Sequence, residues 1–86
     1  MSTGMSPAGK FRHLTSEYLT DKGLQHEMTG QKTAVHVKIL HISKKFYLEV
    51  VLPEIRRIGE DIGYKPSGTT FFSKHVYVRF YNRWGR

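Results

Sequence analysis

Residues 33–42, "TAVHVKILHI", alternate in polarity with a period of two. In an extended chain Val35, Val37 and Ile39 point one way while His36, Lys38 and Leu40 point the other, the pattern of a strand with one covered face. Such a strand needs neighbours for its backbone and a second layer for its apolar side, which commits the chain to a sheet packed on something else. His41 continues the apolar set and is expected at its rim.

The natural candidate for that second layer is "PEIRRIGEDIG", residues 53–63. Proline stands at its first helical position with an acid beside it, and Ile55, Ile58 and Ile62 fall on one helical face. Gly63 can supply the left-handed C-terminal cap. Arg56, Arg57, Glu60 and Asp61 fall on the wet face. The preceding "SKKFYLEVVL" could extend this helix back to a Ser43 cap, but a residue before proline is pushed away from helical angles, so a break at Pro53 is the simpler reading. "FYLEVV" then becomes a strand pairing back on residues 33–42.

Towards the N-terminus, "TDKG" and "TGQK" punctuate short runs with β-branched and aromatic residues, and Gly23 and Gly30 can take the positive φ of tight connections. A meander of Arg12–Thr20, Leu24–Met28 and Thr33–Ile42 follows. The alternative for the first run is a short helix, Ser16–Lys22, between a Thr15 N-cap and Gly23. Residues 1–10 are small and polar and are expected to be a flexible tail, leaving 11–86 as a single domain. "YKPSGTT" reads as a loop into a last strand, Phe71–Asn82. The predicted fold class is α+β: a small antiparallel sheet of four or five strands packed against one main helix, without internal repeat. At 86 residues only one modest core fits, about 60–65% of the unfolded surface being buried at that length.

The ending "FFSKHVYVRFYNRWGR", residues 71–86, holds six of the chain's eleven aromatic residues among four Lys/Arg and one His, and no acid. The last acid is Asp61, so the C-terminal quarter carries a concentrated share of the net charge of +7. A balance that basic favours a polyanionic partner. By strand parity Phe72, Val76, Val78 and Phe80 face the core, and Phe71, Ser73, His75, Tyr77, Arg79 and Tyr81 face away. Exposed rings stack on unpaired bases and adjacent cations neutralise phosphates, giving affinity that tolerates sequence and falls with salt.

The expected function is therefore that of a small basic nucleic-acid-binding protein, accessory or regulatory and not an enzyme. Tyr77, Tyr81 and His75 are the expected platforms, and Lys74, Arg79, Arg83 and Trp84 carry most of the rest. Lys38 and His36 join if their strand shares the face, and Arg56 and Arg57 are within reach of phosphates. "KHVYVRF" is similar to the RNA-contacting strand of RNA-recognition motifs in placing His75 and Tyr77 where stacking residues sit. The glycine of that strand is absent and no room is left for the fold's two helices, so the likeness is one of shared physics.

Other readings of the same residues compete. Rings on strands also pair across a sheet with no ligand present, and a second copy of the chain could cover them. Tyr, Trp and Arg equally suit an adaptor or inhibitor that meets an acidic protein surface. His75, Tyr77 and Arg79, with His36 nearby, are the groups a small metal-independent ribonuclease would use. "EIRRIGEDIGYKPSGTTFFSKH" could form a helix-turn-helix with its second helix beginning near Ser67, although Gly68, Thr69, Thr70, Phe71 and Phe72 are weak helix formers.

The five histidines lie on separate segments without ligand spacing, so no metal or cofactor is expected. With no cysteine, no signal-like leader and no apolar run of about 20 residues, the expected compartment is the cytosol and no membrane is crossed.

Overall fold

The computed structural model describes residues 6–31 and 34–82. The chain runs α1 (Pro7–Asp21), β1 (His26–Gln31), β2 (Ala34–Leu40), α2 (Lys44–Phe46), a π-helical turn (Tyr47–Val51), α3 (Leu52–Ile62), β3 (Tyr64–Phe71) and β4 (His75–Asn82). All four strands form one antiparallel sheet in the order β1-β2-β4-β3. This is an α+β fold with a main helical run, 44–62, and a second helix, α1.

Helices and hairpins alternate: α1 leads into the β1-β2 hairpin, and the 44–62 run leads into the β3-β4 hairpin. The two hairpins meet along β2 and β4, with Val37 opposite Val78 at the middle of the seam. The arrangement repeats although the sequence does not. The helices cover one sheet face, where Val35, Val37, Ile39, Val76, Val78 and Phe80 are all essentially inaccessible. Phe11 of α1 stacks on Tyr64 at 5.0 Å between ring centroids and meets Phe80 at 4.9 Å, which ties α1 to the last two strands.

Three expectations are corrected. Residues 12–20 are helical, and the helix begins earlier than the short alternative allowed. Ser6 caps it by accepting from the Gly9 N–H at 3.1 Å, Pro7 occupies its first turn, and Ala8, Phe11, Thr15 and Leu19 line its buried side. Residues 7–10 of the expected tail are thus its first turn. "FYLEVV" is also helical. Ser43 caps α2 by accepting from the Phe46 N–H, and the run continues through Pro53 because the hydrogen-bond ladder shifts just before it. The Leu52 N–H reaches back five residues to the Tyr47 carbonyl, and this wider turn absorbs the residue that lacks a donor and crowds the carbonyl four positions back. Finally, "YKPSGTT" is strand β3, which removes the helix-turn-helix alternative. Pro66 is tolerated because β3 is an edge strand and its register slips between Pro66 and Gly68.

The C-terminal end of α3 agrees with its pattern. Ile55, Gly59 and Ile62 are buried, Ile58 is half-buried, and Gly63 caps the helix at φ 112°. A Cβ on Gly59 would stand 2.6 Å from the Tyr64 carbonyl oxygen and 3.3 Å from Phe11 Cε1, so the missing side chain lets α1, α3 and β3 close together.

Candidate nucleic-acid interface

Because side chains alternate along each strand, the sheet face opposite the helices is fixed by the same registers. In β4 the buried Val76, Val78 and Phe80 leave Tyr77, Arg79 and Tyr81 exposed. Antiparallel pairing sets Lys38 opposite Tyr77, His36 opposite Arg79 and Ala34 opposite Tyr81. On the outer side of β4, Thr70 lies opposite Tyr77, Gly68 opposite Arg79 and Lys65 opposite Tyr81. Beyond β2, Glu27 faces Lys38 and Thr29 faces His36.

The centre of this face is a square of four polar side chains, His36 and Lys38 from β2 with Tyr77 and Arg79 from β4. The Tyr77 hydroxyl and His36 Nδ1 are 2.5 Å apart, and their rings are tilted at 42°. The Arg79 guanidinium lies 5.1 Å from the centre of the Tyr81 ring, close enough for a cation–π contact. Tyr77 and Tyr81 remain 37% and 42% exposed, so each keeps part of its ring available. Lys38, Lys65 and Arg79 oppose one carboxylate, Glu27, among the described residues of the face.

Not every predicted residue is gathered here. His75 opens β4 opposite Leu40, and Phe72 stacks on its imidazole at 4.3 Å and 17°. That ring is already covered on one side. Lys74 sits in the β3-β4 turn at the edge of the face, where its carbonyl accepts from the His41 N–H at 2.7 Å. His41 has left the strand, with φ at +54° and its side chain exposed, rather than closing the apolar set. Phe71 and Phe72 exchange their expected places: Phe71 packs edge-on against buried Tyr47, and Phe72 is 51% exposed. Parity counted from residue 71 fails because β4 begins only at His75. Arg56 and Arg57 lie on α3, in the layer on the far side of the sheet, where Arg57 approaches Glu54 at 3.9 Å. Arg83 and Trp84 lie outside the described residues.

Lys65 is the contributor that sequence reasoning passed over. It stands one residue before Pro66 and three before Gly68, and those two residues made its strand look like a loop. The β-spacing of Tyr64, Pro66 and the later Thr69 and Phe71 was the signal available.

No protein-family model matches this chain, and no curated protein matches it. The residues themselves carry the functional argument.

Among the described residues no three His, Asp or Glu side chains gather as a metal site, and no helix is long and apolar enough to cross a membrane. Tyr47, beneath the sheet, has its hydroxyl buried without a well-formed hydrogen bond. Burial pushes its pKa up to about 12, against smaller opposing effects of the neighbouring Thr69 hydroxyl and the Arg56 charge. It is a core residue and has no part in the face.

Proposed function

We propose that the protein binds nucleic acid on the open face of its sheet, with single-stranded or distorted strands preferred. The observation that carries this reading is the juxtaposition of exposed Tyr77 and Tyr81 with Lys38, Lys65 and Arg79 on the central and edge strands of one uncovered face. Rings half-open to solvent offer π-faces to bases, and cations one strand apart suit successive phosphates of a backbone laid across the strands. The Arg79–Tyr81 contact holds one cation in place before a ligand arrives, which lowers the ordering cost of binding. His36 and Tyr77 add a donor and acceptor pair at the centre. The role is accessory or regulatory, without catalysis on the bound strand, and a chain free of cysteine suits the reducing cytosol.

The test is fluorescence anisotropy of labelled single-stranded DNA, single-stranded RNA and duplex oligonucleotides at two salt concentrations. Tight binding that weakens steeply with salt, with one strand type preferred, supports the reading. Weak binding, equal for every polyanion, overturns it in favour of an acidic protein partner or a second copy covering the sheet.

A further inference from the structure

On the helix side of the molecule, α1 and the start of β1 form a shallow cleft lined by Gly9, Arg12, His13, Ser16, His26 and Met28. Two hydrogen bonds within it share the His26 imidazole. Nδ1 lies 2.9 Å from the Leu24 carbonyl oxygen, and because a carbonyl can only accept, Nδ1 carries the proton. In the neutral imidazole the other nitrogen, Nε2, has a lone pair facing Ser16 Oγ at 2.9 Å, to which the serine hydroxyl donates. A hydroxyl bonded to a base that a third group orients is the arrangement that makes serine nucleophilic. Arg12, one helical turn before Ser16 on the same cleft, has its Nε buried without a partner. Nε itself is closed to solvent, so it is the positive charge of the guanidinium, on a residue lining the cleft, that would face an oxygen on which negative charge develops.

We infer that Ser16, His26 and Arg12 form an acyl-transfer site for small carboxylic esters, separate from the sheet face and independent of its ligand. Ser16 Oγ attacks the ester carbonyl carbon, and its proton passes to His26 Nε2. The carbonyl electron pair moves to an oxyanion facing Arg12 and then returns, breaking the bond to the alkoxy oxygen. The departing alcohol takes the proton from His26. Water, giving its proton to the same nitrogen, attacks the acyl-serine and releases the carboxylic acid, and Ser16 recovers its proton. Esters are the expected class rather than amides, because a neutral carbonyl behind His26 stabilises the imidazolium less than a carboxylate would.

The full chain would be exposed to an alkyl fluorophosphonate and followed by intact mass and peptide mapping, with release of nitrophenolate from 4-nitrophenyl acetate measured in parallel. One adduct per chain on Ser16 is expected, abolished in Ser16→Ala, which leaves the His26 to Leu24 bond in place. His26→Gln should slow labelling by about 10²–10⁴-fold. Because that variant also cuts a tie between β1 and α1, its circular dichroism and melting are compared with wild type, and Ser16→Ala decides if it is unfolded. A folded wild-type chain that takes no label, or takes it elsewhere than Ser16, overturns the inference, and the two hydrogen bonds then only fasten β1 to α1.

Discussion

The Tyr77 hydroxyl and His36 Nδ1 stand 2.5 Å apart across the seam between β4 and β2, on residues 41 positions apart in sequence. The contact joins the two hairpins on their solvent side as the pairs Val35–Phe80, Val37–Val78 and Ile39–Val76 join them on the core side. It also fixes the tilt of the Tyr77 ring that the proposed ligand would meet.

Tyr77 is expected to contribute through its ring more than through its hydroxyl. Tyr77→Ala should weaken single-strand binding by about 1–3 kcal/mol, nearly equally across sequences, whereas Tyr77→Phe should keep most of the affinity. Anisotropy titrations on two unrelated oligonucleotides check this. Equal loss in both variants would point to the His36 hydrogen bond rather than stacking.

Arg79 is expected to act as a phosphate contact. Arg79→Ala should reduce the slope of log affinity against log salt by about one, and Lys65→Ala should do the same from the neighbouring strand. Arg56→Ala and Arg57→Ala, on the far layer, should leave the slope unchanged. A slope that responds equally to all four would mean a diffuse electrostatic attraction with no defined face.

Tyr47 ties stability to alkaline pH. Its folded pKa of about 12 stands above the ordinary value of 10, so the folded state favours the neutral phenol. The contribution is intact below pH 10 and is lost as pH rises towards 12, amounting to about 2–3 kcal/mol across that window. Tyr47→Phe should flatten this part of the profile. Since the hydroxyl it removes is buried without a formed hydrogen bond, stability at pH 7 should stay level or rise. Urea unfolding at pH 7, 10 and 11 measures both effects.

Gly59→Ala should destabilise the fold by about 1–2 kcal/mol, despite alanine's better helix propensity. The added methyl meets a backbone carbonyl at 2.6 Å, and that oxygen cannot swing aside as a side chain would. A shifted urea midpoint at unchanged slope would show it, and an unshifted midpoint would mean that α3 moves off the sheet without cost.

The strands with clean alternation were legible. Residues 34–40 and 75–82 carry period-two patterns in the sequence, and the pairing of Lys38 and His36 with the last strand follows once β2 and β4 are neighbours. The helix face of Ile55 and Ile62 and the cap at Gly63 were legible for the same reason, a period and a stop signal. Misreadings fell where a local rule met a tertiary remedy. Pro53 should end a helix, but a π-turn accommodates it. Pro66 and Gly68 should mark a loop, but an edge strand with a register slip needs neither a donor nor a side chain there. Residues 12–20 look strand-like because Thr15, Ser16 and Tyr18 are modest helix formers, yet Ser6 followed by Pro7 was a start signal for α1. The cleft of Ser16 and His26 could not be foreseen, because it depends on α1 being a helix lying over β1.

The seam between the two helix-hairpin halves has a consequence for dissection of the molecule. Each half supplies two corners of the polar square, and either half alone leaves one edge of its inner strand unpaired and loses the packing of Phe11 on Tyr64 and Phe80. A peptide spanning residues 6–40, or one spanning 44–82, would carry the charges without the surface. Whatever this face holds, it can hold only in the intact chain, so occupancy of the face reports global folding as directly as any spectroscopic probe.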